Sequence, residues 1–287
     1  MYGADIKMRE EEQSARRLLD LSRQSFYRGI VTYTDFLNLN EQSILHTLPK
    51  DSLYTGYVTF GGYGSAERQM AAFLPEDALS LRGRYRQQFL GDPEEIAVRE
   101  TAVFEDSNAV FFRQEIAVLC ISPLHQKYAE ELTHRDYLGA MMNLGLERGK
   151  MGDILVDGRE ARLFIVSGLK DFVKEELVKI RRTSVCVSEE EWQDFHYTPK
   201  YEEIKGTVPS IRLDALLSLA FSSSRSKLSG LIEAGKVFVN GRLSVSNGTH
   251  VKEGDLISVR GMGKFRYVRS ISITRKNRIY VLLHKFI

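Results

Sequence analysis

The chain has 287 residues, of which 43% are hydrophobic and 27% charged, with only 22 Gly and 6 Pro. That is too much chain for one small module and too apolar for a disordered or collagen-like polymer, so two or three domains with real cores are expected. Two cysteines, Cys120 and Cys186, exclude a disulfide framework and a four-ligand zinc site of their own, and the apolar runs around them predict buried free thiols. The opening MYGADIKMREEEQ is charged from residue 5 and has no apolar signal core, and no run of 18 apolar residues occurs. A cytoplasmic protein without a membrane partner is the expectation.

Residues 5–28 are helix formers throughout, with early acids suited to the positive helix end, and predict a long first helix. DFLNLNEQSILHTL predicts a second helix, preceded by Thr34 and stopped by Pro49. LYTGYVTFGGYG reads as a strand and SAERQMAAFL as a helix halted at Pro75, which gives an N-terminal α+β domain over residues 1–80. A basic turn with alternating Arg82, Arg84 and Arg86 follows.

The middle section, residues 81–200, then reads strand (EIAVLCIS), helix (HRDYLGAMMNLG), two strands (GDILVDG, EARLFIVS), helix (LKDFVKEELVKI) and strand (TSVCVSE). This β-α-β-β-α-β order predicts a ferredoxin-like, RRM-like domain. RNA-recognition domains share that topology with many unrelated proteins, and the aromatic RNP strand motifs are not recognisable, so the order alone assigns no partner.

Charge is unevenly distributed. Residues 210–287 hold 14 Lys and Arg against 4 Asp and Glu, while the rest holds 26 against 34. A basic module on an acidic body points to a polyanion, and nucleic acid is favoured because no basic amphipathic helix or lipidation motif accompanies it. Within this module, Leu213, Leu216, Leu217 and Ala220 mark one helix face. Ser224 can cap a second helix with Leu228, Leu231 and Ile232 inward, and Gly235 stops it. VFVNGRLSV turns at Asn240-Gly241, the strongest short hairpin signal, and Glu253-Gly254-Asp255 supplies another turn before LISV. FRYVRSISI and RIYVLL complete a basic, strand-rich end. The fold class is therefore α+β and multidomain, closing on a small module of two helices and a β-sheet over residues 210–287.

RLD, SRSKLSGLIEAGKVFVNGR and VKEGDLISV, in that order, resemble the RNA-binding domain first described in ribosomal small-subunit protein S-four. GGYGSAERQMAAFLP together with HRDYLGAMMNLGLERGKMGDILV resembles the YlmH family, bacterial cytoplasmic proteins with an N-terminal domain, a middle RNA-binding domain and this C-terminal module. Gly230 inside the second helix departs from good helix practice, at a cost of about 1 kcal/mol against Ala. The resemblance implies association with structured RNA, namely rRNA and tRNA, on the large ribosomal subunit. It also implies a part in translation quality control on subunits obstructed by peptidyl-tRNA, and a cell-division partner through gene neighbourhood.

The expected RNA face comprises Arg212, Ser224, Arg225, Lys227, Lys236, Asn240 and Arg242. The N-terminus of the second helix offers N–H donors and a positive dipole end to phosphate, Ser224 adds a hydroxyl, and Arg225 and Lys227 add charge. Arg212 opens the preceding helix, and Lys236, Asn240 and Arg242 lie on the turn and hairpin that follow. Arginine grips phosphate bidentately and stacks on unpaired bases, so Arg225 and Arg212 should outweigh the lysines. Arg82, Arg84 and Arg86 form a weaker second patch.

The enzymatic alternative is an RNA-modifying enzyme such as a pseudouridine synthase, since this basic module is often attached to such enzymes. Arg212-Leu213-Asp214 echoes a pseudouridine synthase motif but opens the binding module's own helix, where Asp214 suits a first-turn acid. GGYGSAER lacks the spaced G-x-G-x-x-G of a nucleotide loop. The six histidines form no pair at ligand spacing. Neither cofactor, metal nor chemistry of its own is expected. An adaptor for division proteins is the third reading.

Overall fold

The computed structural model describes residues 2–75, 109–192, 195 and 197–287, with side chains from residue 8. The described chain resolves into two compact units, one of residues 1–41 and 48–197, the other of 42–47 and 198–287. Among the described residues no helix is long and apolar enough to cross a membrane.

The first unit opens with α1 (Tyr2–Arg28), β1 (Thr32–Tyr33), the start of α2 (Leu39–Thr47), whose residues 42–47 belong to the second unit, β2 (Gly56–Phe60) and β3 (Met70–Leu74). α2 starts at Leu39, later than the sequence pattern suggests, because Asn38 builds a capping box. Its Oδ1 accepts the N–H groups of Asn40 and Glu41, while Glu41 Oε2 accepts the N–H of Asn38. The helix expected over SAERQMAAFL is corrected to the strand β3, the middle of a sheet ordered β1-β3-β2. Ala71, Ala72 and Phe73 are all 0% exposed. A residue run buried on both faces and hydrogen-bonded on both edges is worth more than the helix propensity of two alanines.

The middle of this unit is β4 (Ile116–Pro123), α3 (His134–Asn143), β5 (Met151–Asp157), β6 (Glu160–Val166), α4 (Lys170–Glu176), β7 (Lys179–Ile180) and β8 (Thr183–Glu190). The strands are antiparallel in the order β5-β6-β4-β8-β7. Without the short β7, which extends the edge through a hairpin turned at Arg181 and Arg182, this is the expected ferredoxin-like arrangement. α3 is fixed by a capping box of Thr133 and Asp136. Tyr137 and Met141 of α3 and Val173 of α4 pack on Ala117, Leu119, Ile121, Leu163, Ile165, Val185 and Val187 of one sheet face.

The opposite face is not open. Ile116, Val118 and Phe164 join Phe36, Phe60, Tyr63, Met70 and Phe112 in a second core, so the N-terminal elements of the same unit cover that end of the sheet. The cysteines are corrected here. Both are free, but Cys120 is half-buried and Cys186 exposed. Strand alternation turns them away from the helices, onto the part of this face that the second core does not reach.

The second unit contains β9 (Tyr201–Val208), α5 (Leu213–Ala220), α6 (Arg225–Glu233), β10 (Val237–Val239), β11 (Arg242–Leu243), β12 (Leu256–Val259), β13 (Gly263–Ile273) and β14 (Ile279–Phe286). Its six-stranded sheet runs β11-β10-β12-β13-β14-β9. The sequence pattern assigns no element to YEEIKGTV, yet all eight residues pair with β14 as the edge strand β9. A Cβ on Gly206 would lie 2.5 Å from Leu219 Cδ1, so the glycine lets α5 approach this strand. The helix pair leans on the sheet as expected. Leu213, Leu216, Leu217, Leu228 and Ile232 share a core with Val237, Ile257, Phe265, Val281 and Leu283.

Candidate nucleic-acid interface

α6 is defined at both ends by local chemistry. Ser224 is its N-cap, with an extended backbone and an Oγ that accepts the Lys227 N–H at 3.4 Å. At the other end Gly235, with φ +66°, donates to Ile232 O while Lys236 donates to Leu231 O, both at 3.0 Å. These are the two bonds of a Schellman closure, which places Lys236 just beyond the helix end. Gly230 does not shorten the helix, which continues to Glu233. Its position opens on empty space.

All seven residues expected to form the RNA face are exposed. Their states differ. Arg225 and Lys227 stand in the first turn of α6, where backbone N–H groups lack intrahelical acceptors and the helix dipole adds positive potential. Arg212 is the N-cap of α5, and its Nε and Nη2 reach Asp214 Oδ1 and Oδ2 at 3.1 and 3.4 Å. Asp214 is only 8% exposed, so part of Arg212's work is to balance a buried carboxylate. Asn240 turns the β10–β11 hairpin at φ +48°. Its amide donates to Asp255 Oδ1 at 2.7 Å and its carbonyl oxygen accepts the Leu256 N–H at 2.9 Å. That side chain is committed at both ends to tying the hairpin turn to the start of β12. Arg242 sits in β11 opposite Val239, next to this turn.

Other basic residues of the module were not singled out from sequence. Arg260 lies over the Phe238 ring, Lys264 over Phe286 and Lys285 over Phe221, with cation-to-centroid distances of 5.7, 5.4 and 5.4 Å. Alternation in the strands could have suggested which cations share a face, but the ring partners follow only from the register. Arg82, Arg84 and Arg86 lie outside the described residues.

GGYGSAER proves to be a brace. Tyr63 Oη donates to Asp153 Oδ2 at 2.6 Å, and the Glu67 and Arg68 N–H groups donate to the same carboxylate at 2.7 and 3.1 Å. The Arg68 guanidinium donates to the carbonyls of Met151, Phe36 and Arg148. Arg148 in turn donates to the carbonyls of Met151 and Gly152 at 2.8 and 2.9 Å. Burial, reinforced by the neighbouring Arg68, pulls the Arg148 pKa down to about 10. Burial and the Asp153 charge push the Tyr63 hydroxyl well above its ordinary range. A Cβ at Gly62, whose φ is +103°, would fall 2.2 Å from the Phe164 ring. The loop's donors are thus engaged in closing the first unit. Among the described residues no group of three His, Cys, Asp or Glu could hold a metal ion.

Residues 115–194 match the family model "Putative RNA-binding domain in YlmH", and residues 211–257 match the S4 domain. The chain is also 29% identical over 249 residues to the "Ribosome-associated protein quality control protein P2" of Bacillus subtilis (strain 168), covering 85% of this chain and 83% of that protein. The chain thus carries a YlmH-type RNA-binding domain and an S4 domain, in the order that the YlmH resemblance implies. A solved structure, "Cell division protein ylmH from Streptococcus pneumoniae", matches with a TM-score of 0.43 and 21% identity, over 67% of this chain and 96% of that one. That likeness is too loose to carry an argument. The S4 match spans α5 through the first residues of β12, the stretch that contains all seven expected RNA-face residues. The YlmH match spans the ferredoxin-like domain. There the stacking surface that an RRM-type sheet would offer is partly taken up by Phe36, Tyr63 and Phe112.

Proposed function

We propose that this protein binds structured RNA of the large ribosomal subunit through its S4 domain and serves translation quality control by binding, without chemistry of its own. Arg225 and Lys227, exposed in the first turn of α6 under the Ser224 cap, carry the reading. They sit in a module with a surplus of ten cations, and their charge is directed to solvent where Arg212's is shared with Asp214. Lys236 and Arg242 flank them in sequence as further phosphate contacts, and Ser224 and Asn240 act by holding backbone in place. Peptidyl-tRNA is a second contact in this reading, and the protein works in the cytoplasm. The name of the Bacillus subtilis relative, which speaks of ribosome association and quality control, supports it.

The enzymatic alternative has less to stand on. Asp214, the carboxylate it would recruit, is buried against Arg212, and GGYGSAER is engaged as a brace.

The test is co-sedimentation of the full chain with purified large subunits across a salt series. With about four to six phosphates neutralised, log K should fall with log salt at roughly −0.7 to −0.9 per phosphate. Nuclease treatment should release the protein from ribosomal fractions. Retention of a division protein after ribosomes are lost would favour the adaptor reading, and enrichment of messenger RNA alone in cross-linking would sink the ribosome assignment.

A further inference from the structure

From Leu256 to Ile287 the sequence has eight Lys and Arg and no Asp or Glu. The S4 match ends at residue 257, so nearly all of this acid-free stretch lies outside it, in β13, β14 and the turn between them. Five of the eight cations are partly occupied. Arg260, Lys264 and Lys285 lie over aromatic rings, Arg266 is half-buried, and Arg278 donates to Thr207 O at 2.7 Å and Thr207 Oγ1 at 3.2 Å. Arg269, Arg275 and Lys276 remain, all exposed.

The chain holds these three on a firm support. Thr274 and Arg278 close the turn, the Thr274 N–H meeting Arg278 O at 2.7 Å and the Arg278 N–H meeting Thr274 Oγ1 at 3.1 Å. Asn277 takes the left-handed conformation there, at φ +54°. The Arg278 clasp on Thr207 ties the turn to β9. β12 pairs with β13 only as far as Arg266, and past that point Arg269–Ile273 are five consecutive exposed residues, steadied where Ser270 N–H donates to Glu253 Oε1 at 2.7 Å. A tip with several like charges and no acid in its segment repels itself unless a polyanion approaches, and rigid backbone spares that polyanion the cost of ordering it.

We propose that the β13–β14 turn, through Arg275 and Lys276 with Arg269 farther back along β13, is a second RNA-backbone contact outside the S4 domain, made to the same ribosomal RNA that the S4 helices bind. It rests on the RNA-binding reading above. It would lengthen the footprint without reading sequence, since phosphate contacts position and base contacts specify.

The experiment measures binding of the full chain to purified large ribosomal subunits over a salt series, for the unaltered protein, Arg275→Ala/Lys276→Ala, Arg225→Ala/Lys227→Ala and Ile271→Ser/Ile273→Ser. Thermal melts confirm folding of each. The tip variant should bind about tenfold more weakly at moderate salt, with the log–log slope shallower by roughly two. No binding by the unaltered protein removes the RNA reading itself. Binding that is weakened by the α6 variant but keeps wild-type affinity and slope in the tip variant removes only the tip. A tip variant with reduced affinity and unchanged slope also overturns it, because no phosphate contact was lost. Should the isoleucine variant alone lose binding, the exposed edge belongs to a protein partner and the proposal falls.

Discussion

Arginine plays opposite parts in the two units. In the first, Arg68 and Arg148 are turned inward and spend their donors on backbone carbonyls where the GGYGSAER loop meets β5. In the second, Arg225, Arg269 and Arg275 face solvent. The same asymmetry holds for the sheets. The ferredoxin-like sheet has helices on one face and a second core over part of the other, whereas the C-terminal module carries exposed cations along its helix start, hairpin and strand turn. A guanidinium that has satisfied carbonyls cannot also grip phosphate, so the composition of a segment matters less than where its donors already go.

The largest effect should come from breaking the first unit's second core. Phe164 is 0% exposed and touches both the β5–β6 region and the Tyr63 loop. Phe164→Ala should cost about 3–5 kcal/mol in denaturant unfolding of the first unit. RNA affinity measured below the unfolding transition should be unchanged if the S4 domain carries the binding. A matching loss of RNA affinity in the folded variant would mean that the middle domain contributes directly.

Next is the brace. Tyr63→Phe removes a charge-assisted hydrogen bond to Asp153 and should cost about 1.5–3 kcal/mol. Because folding raises the hydroxyl's pKa, its contribution is fully present below about pH 10 and fades as pH rises through the folded value. The difference in melting temperature between wild type and variant should therefore shrink above pH 10. A gap that is constant through that range would mean Tyr63 acts by packing alone.

Arg212 and Arg225 sharpen the contrast within the module itself. The sequence treats them as equals, two arginines at helix starts. The structure pairs one with a buried carboxylate and leaves the other in solvent. Arg212→Ala should lower stability by about 1 kcal/mol, since Asp214 is buried but the guanidinium that balances it is half-exposed. Arg225→Ala should leave the melt unchanged and weaken RNA binding several-fold. Equal effects of both variants on both readouts would erase the distinction.

These contrasts mark what could be read from residues alone. The β-α-β-β-α-β order, the Ser224 cap, the Gly235 stop and the Asn240-Gly241 turn are local signals, and each is present as expected. What failed is set by distant partners. β3 is a strand because two others flank it, β9 exists because β14 offers it eight residues of pairing, and the cysteines are less buried than their apolar runs suggest because the second core covers only part of that sheet face. The seven site residues were legible as exposed polar groups. That Asn240 is tied to Asp255 and Arg212 to Asp214 was not, because neither bond has a pattern in sequence distinct from an ordinary turn or helix start.

The smallest change tests whether the α6 support and its chemistry are separable. Gly230 occupies an exposed helical position with a negative φ, and a Cβ there meets nothing within 4 Å. Gly230→Ala restricts the unfolded chain more than the folded one and adds no clash, so it should stabilise the second unit by about 0.5–1 kcal/mol. Its side chain would lie midway along the helix, away from the Arg225 turn, so large-subunit affinity should be unchanged while the melt rises. If affinity falls instead, the binding surface continues along α6 past its first turn, and the glycine is there to admit RNA backbone at close range.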